Sequence, residues 1–137
     1  MIMIWIVIFF SMIWLHIYDD YHTQGILAQF KQKKWWQENC PQELYKNDWI
    51  IALYEHAFQW AFTTMLPLLA YSLWGWKESD SLRGLIWWAG LVVINTIIHV
   101  DIDNIKANKL EINLLTDQIC HIFQIGFTIV VFVIGVN

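Results

Sequence analysis

Apolar residues fall into four blocks, separated by stretches that hold most of the charge. The blocks are residues 1–18 (MIMIWIVIFFSMIWLHIY), 49–76, 83–100 and 113–136. About 20 apolar residues cross the hydrocarbon of a bilayer, so each block is sufficient, some with tilt. Lipid offers no partner for free backbone N–H and C=O groups, so a spanning segment must be helical. The pattern predicts an all-α polytopic membrane protein. Residues 1–137 would form a single transmembrane domain built as a four-transmembrane-helix bundle. Pro67 lies inside the second block, where it removes a helical hydrogen bond and predicts a kink. The first block has no Lys or Arg ahead of its apolar run and no small-residue cleavage pattern behind it. It therefore reads as a retained helix and not as a signal peptide.

Composition supports a lipid setting. Of the 137 residues 58% are hydrophobic and 15% are charged, too few polar groups to cover a water-soluble domain of this size. No Gly/Ser-rich linker or fixed-period repeat marks a second domain. The net charge of −4 argues against a nucleic-acid partner, which would want a basic face. Cys40 and Cys120 are too few for a disulfide framework and match no zinc spacing; they read as reduced thiols.

The connections differ in charge. Residues 19–48 and 101–112 share one side of a four-span chain and hold six of the eight basic residues. The positive-inside rule puts both in the cytoplasm, with the termini outside, in the inner (cytoplasmic) membrane. Within the first connection, ILAQFKQKKWWQE (residues 26–38) interleaves apolar, aromatic and lysine positions. It predicts an interfacial amphipathic helix, with Trp35 and Trp36 at headgroup level and the lysines near anionic lipid. The partners implied are the bilayer itself and, as an allowed arrangement, further copies of the chain.

The polar residues near the block ends carry a second pattern. His16 is followed four positions later by Asp20, His99 by Asp103, and Asp117 by His121. Residues four apart share a helix face. With His56, beside Glu55 in the second block, these pairs all lie at block ends facing the same predicted cytoplasmic side. A charge at the centre of a span costs about 2.5–3.5 kcal/mol on insertion scales, less near the interface. Such groups must face one another, water or an ion.

Imidazole with carboxylate suits a divalent metal ion; zinc fits first, with Mn or Fe next. The candidate metal-ligating residues are His16, Asp20, His56, His99, Asp103, Asp117 and His121. Four histidines and several acids are enough for one ion or two, as in bundle cores. The alternative is a hydrogen-bonded network that only fixes helix packing. Glu55 or His56 is the candidate general base, the inward member of the two being open because neighbours on a helix point about 100° apart. Lys106 shares a face with His99 and Asp103, and would either clamp an anionic group or pair with Asp103. Asp19 and Asp101 lie off the main stripe and read as solvated. Asn95 extends the stripe inward, and Gln118 and Gln124 are candidate donors to the ligands. His22 reads as a loop residue, and the Trp and Phe residues read mostly as lipid-facing.

HIYDDYHTQ (residues 16–24), HVDIDNIK (residues 99–106) and DQICH (residues 117–121) carry a resemblance. They are similar to the H-x-x-x-D-[FY]-x-x-Q, H-x-x-x-D-x-x-K and D-Q-x-x-H stretches of a family of small bacterial and phage membrane proteins. That family is domain-of-unknown-function family three-three-zero-seven. His56 falls where the family tends to have a histidine in its second helix. The matching positions are His16, Asp20, Tyr21, Gln24, His56, His99, Asp103, Lys106, Asp117, Gln118 and His121, and the resemblance assigns no activity. By analogy with membrane-bound metal-dependent hydrolases, the expected function is metal-assisted hydrolysis of a lipid or amphiphilic phosphoester or ester at the cytoplasmic membrane boundary. Lys106 would stabilise developing negative charge. Two other readings stand beside it: a small ion or proton transporter subunit, and a binding or regulatory module whose polar cluster is structural.

Overall fold

The computed structural model describes residues 2–74 and 78–136 and has no strand among them. The described residues form seven α-helices in order: α1 (Ile2–Tyr18), α2 (Leu27–Phe30), α3 (Lys33–Asn39), α4 (Asp48–Thr64), α5 (Leu66–Trp74), α6 (Glu78–Asn104) and α7 (Leu114–Val136). Three helical stretches are long and apolar enough to cross a membrane: Ile2–Thr23, Ser81–Lys109 and Leu114–Val136. The second apolar block is divided at Met65 into α4 and α5. Pro67 explains the division: it has no N–H to give to the Thr63 carbonyl, and its ring crowds that turn. The chain resumes when Leu68 and Leu69 both donate to the Met65 carbonyl, each at 3.1 Å.

α6 packs against α4, α5 and α7, while α1 packs against α4, α5 and α7 from the other side. Lipid tails are as apolar as leucine, so close van der Waals packing has to hold such helices together. Small side chains allow the approach. Ala52, Ala57 and Ala61 form a buried stripe on α4, and Ser72 of α5 meets Gly84 of α6. At one end of the molecule the core is apolar, with Ile8, Leu68, Leu91, Ile129 and Phe132 in one cluster. At the other end the buried residues include His16, His56, His99, Asp103, Asp117 and His121, beside a smaller apolar cluster of Leu53, Ala57 and Val100. Outward faces are the reverse: Phe10 and Trp14 on α1, Ile94 and Ile97 on α6, and Phe123 and Phe127 on α7 are all exposed. Apolar surface of that extent marks a lipid or protein contact.

Two helix ends depart from the α pattern, and both matter for the site. α1 runs on into a π-helical turn over Asp19–Thr23, and α6 into another over Ile105–Lys109. The wider π turn closes i→i+5, as in Gln24 N donating to Asp19 O at 3.1 Å. The first turn gives way at Gly25 with φ +48°, and the second at Leu110 with φ 60°. The left-handed conformation costs a side chain such as Leu110 roughly 1–2 kcal/mol.

The continuous amphipathic helix expected over residues 26–38 is instead two short helices, α2 and α3, broken at Lys31–Gln32, where Gln32 is extended (φ −96°, ψ 116°). The break has a partner across the fold. Asn108 Oδ1 accepts from Lys33 N at 2.7 Å, and Asn108 Nδ2 donates to Lys31 O at 3.2 Å. Trp35 and Trp36 are half-buried on Phe30, with ring centroids 4.5 and 5.1 Å from it.

Candidate metal centre

Each helix delivers its polar residues to one level. His16 and Asp20 come from the end of α1 and its π turn, His56 from mid-α4, His99 and Asp103 from the end of α6, and Asp117 and His121 from the first turns of α7. All are buried except Asp20, whose side chain is 12% exposed. The rings of His99 and His121 stack at 4.3 Å, and those of His56 and His99 lie 5.2 Å apart.

The donor atoms form a triangle. His56 Nε2 is 3.3 Å from His99 Nε2 and 3.1 Å from Asp103 Oδ2, and His99 Nε2 is 3.6 Å from Asp103 Oδ2. Two ligands about 2.0–2.1 Å from a tetrahedral ion stand about 3.3–3.4 Å apart. The triangle therefore has the edge lengths of one face of a metal coordination sphere. Its composition, two imidazoles and one carboxylate, is that of open, reactive sites. Asp20 Oδ1 lies 4.0 Å from His56 Nε2 and offers a fourth donor. On the other side, His121 Nε2 is 3.5 Å from Asp103 Oδ1 and 3.4 Å from Asp117 Oδ1. Asp103 thus turns one oxygen to each histidine group, the geometry of a bridging carboxylate. Among the described residues, the Nδ1 atoms of His56, His99 and His121 are buried without a hydrogen-bond partner. The Nε2 edges of these rings are the ones that face the carboxylates.

His16 has a different role. Trp60 Nε1 donates to its Nδ1 at 2.7 Å, so its Nε2 carries the proton and donates to Gln118 Oε1 at 3.0 Å. With both nitrogens engaged, His16 has no lone pair for a metal, contrary to its expectation as a ligand. It orients Gln118, whose amide nitrogen donates to Asp117 Oδ2 at 3.1 Å and Asp20 Oδ2 at 3.3 Å. Trp60 also stacks on His99 at 4.2 Å.

The remaining expectations sort as follows. His56 faces inward and Glu55 is exposed on the other side of α4, so Glu55 does not reach the cluster. Lys106 pairs with Asp117 at 2.5 Å and not with Asp103; Lys31, 72 residues away, donates to Asp103 Oδ2 at 2.7 Å. Asp19 is fully buried where solvation was expected. The π turn rotates it inward, and it accepts from Thr23 Oγ1 at 2.5 Å and Gln59 Nε2 at 3.0 Å. Asp101 is exposed, and His22, expected in a loop, is exposed within the π turn over Asp19–Thr23. Gln124 does not touch the ligands; it donates to Asn95 Oδ1 at 2.9 Å one level deeper, where Thr128 Oγ1 also donates at 3.0 Å. Lys31 and Trp60 are the site residues the sequence did not single out. Trp60 lies four residues after His56, the one spacing that hinted at it.

Fold and site together define an all-helical protein with helices of membrane-spanning length and a buried His/Asp cluster able to hold a metal ion. No family model, curated protein or solved structure matches the chain. The likeness to the uncharacterised membrane family rests on the sequence motifs alone.

Proposed function

We propose that this is a four-span membrane protein, with the broken α4–α5 unit as the remaining span, that binds a divalent ion through His56, His99 and Asp103. It uses the ion to hydrolyse an ester or phosphoester bond of a lipid or amphiphile at the cytoplasmic boundary. The observation that carries this reading is the triangle of Nε2, Nε2 and Oδ2 atoms, with sides of 3.1 to 3.6 Å, drawn from two helices and buried. An ion at that position supplies Lewis acidity and brings the pKa of water down to about 7. Zinc suits the donor set.

The chain's own residues supply the rest. His121 Nε2, between Asp117 Oδ1 at 3.4 Å and Asp103 Oδ1 at 3.5 Å, would hold a proton shared with these carboxylates and orient Asp103 toward the ion. Lys106 brings positive charge toward the oxygen on which negative charge develops. Trp60, His16 and Gln118 hold the ring and carboxylates in register. Apolar residues keep bulk water from the inner side of the cluster.

A transport role is less well supported by the same structure. The polar column from the cluster continues through Asn95, Gln124 and Thr128, after which Leu68, Leu91, Ile129 and Phe132 close the core. Elemental analysis of the purified chain tests the proposal: one or two equivalents of a divalent metal are expected. His99→Ala with Asp103→Ala should abolish metal uptake while the chain still inserts in the membrane. A metal-free wild type, with variants that fail to insert, would reduce the cluster to a packing network.

A further inference from the structure

Beside the triangle a cleft of about 330 Å3 opens between α2 and the π turn that follows α6, lined by Gln24, Lys31, Gln32, Asp103 and Lys106 among others. Its walls bring two ammonium groups from chain segments far apart in sequence to the edge of the histidine cluster. Lys31 comes from the α2–α3 break and Lys106 from the π turn. Asp103, with its side chain only 4% exposed, lies at the floor. The arrangement is built and not incidental: Asn108 pins the Lys31 carbonyl and the Lys33 amide, so the break that aims Lys31 into the cleft is held by the opposite wall.

Charge decides what the cleft takes. With no ion bound, Lys31 and Lys106 are occupied by Asp103 and Asp117 at 2.7 and 2.5 Å. The three carboxylates that approach the histidines, Asp20, Asp103 and Asp117, face these two lysines, for a net of −1. One divalent ion on the triangle turns that to +1, and it draws the Asp103 oxygen that Lys31 now neutralises. Lys31 then carries uncompensated charge into the cleft, and Lys106, still beside Asp117, adds a second ammonium group to its wall. Lysine ammonium groups beside a metal ion suit phosphate.

We propose that the cleft is a phosphate-binding site that becomes competent only when the metal is in place, with Lys31 and Lys106 as its two cationic contacts. This rests on the metal site proposed above, and it narrows the substrate to a phosphate-bearing molecule. A lipid phosphate headgroup and free phosphate present the same chemistry, and affinity separates them.

The test uses the full chain in detergent, stripped of metal or loaded with manganese, titrated calorimetrically with inorganic phosphate and with dihexanoyl phosphatidic acid. Manganese-loaded protein is expected to bind at least one probe, and stripped protein neither. Lys31→Met and Lys106→Met should each weaken binding about 10- to 100-fold, with metal content unchanged. Lys31→Arg keeps the charge and should retain binding, which holds the test open if Lys31→Met fails to fold. Tighter binding of the phosphatidic acid assigns the site to a lipid headgroup, and equal or tighter binding of inorganic phosphate assigns it to free phosphate. Metal-loaded protein that binds neither probe, binding that is the same without metal, or binding untouched by both Met variants overturns this inference alone. A chain that takes up no metal overturns the metal site and this inference with it.

Discussion

His56 Nε2 and His99 Nε2 face each other at 3.3 Å in the interior, with Asp103 Oδ2 at 3.1 Å from the first and 3.6 Å from the second. Without an ion, one ring must donate a proton and the other accept it, and the carboxylate competes for the same proton. A divalent cation satisfies all three atoms at once. Ligand binding to the native state alone stabilises by about 2.7 kcal/mol at 100 times the dissociation constant. Zinc or manganese should therefore raise the thermal unfolding midpoint of the detergent-solubilised chain. His56→Ala and His99→Ala should each remove that rise. Glu55→Gln, on the exposed side of α4, should keep it. Unfolding curves with and without metal decide the matter.

Trp60 ties the cluster to the bundle. Its indole N–H donates to His16 at 2.7 Å while its ring stacks on His99 at 4.2 Å, and it is 1% exposed. Trp60→Phe keeps most of the packing and removes the donor, leaving the His16 Nδ1 lone pair buried. The expected cost is about 1–3 kcal/mol. Because His16 would then be free to change tautomer and release Gln118, metal affinity should fall as well. Denaturant unfolding and a metal-binding isotherm on one preparation measure both effects.

Helix approach is tested at glycine. A Cβ added to Gly84 would lie 2.8 Å from Ser72 Oγ and 3.0 Å from Ser72 Cβ, where α5 meets α6; a Cβ on Gly90 of the same helix would meet nothing within 4 Å. Gly84→Ala should thus destabilise by about 1–3 kcal/mol through overpacking. Gly90→Ala should be neutral or stabilise by up to about 1 kcal/mol, since alanine is the better helix former. Equal effects from the two would mean that α5 and α6 do not touch as described.

How far the sequence carried this picture depended on whether a feature was local. The i,i+4 pairs His16/Asp20, His99/Asp103 and Asp117/His121 needed only helical periodicity and the block ends to be placed at a common level. The choice between Glu55 and His56 needed the rotation of α4 against α6, which adjacent positions do not encode. Asp19 is buried because the chain forms a π turn there, and ideal helical periodicity does not encode that turn. Lys31 is out of reach of local pattern for another reason: its partner Asp103 is 72 residues away, and the α2–α3 break that aims it is held across the fold by Asn108. The amphipathic pattern over residues 26–38 was real, but a pattern of faces does not report one broken turn.

That broken turn yields its own measurement. Asn108→Ala removes two hydrogen bonds to the Lys31–Lys33 backbone, each worth about 0.5–1.5 kcal/mol. The amides of residues 31–33 should exchange faster with deuterium, while those of α6 and α7 keep their protection. Were α2 and α3 to fuse into one helix in the variant, exchange at Gln32 would slow instead, and the lysine would swing away from Asp103.

Orientation is the remaining physical choice, and Cys40 reads it out. It sits in the connection between α3 and α4, half-buried and unpaired, on the side the basic residues assign to the cytoplasm. In a Cys120→Ser background, a membrane-impermeant maleimide should label Cys40 in inverted inner-membrane vesicles and spare it in intact spheroplasts. The cleft with Lys31 and Lys106 opens on the same side as Cys40, because Lys31 and Cys40 both lie in the segment between α1 and α4. Labelling from the outside would therefore move the metal centre and its substrate to the outer leaflet. Six basic residues would then stand against the positive-inside rule.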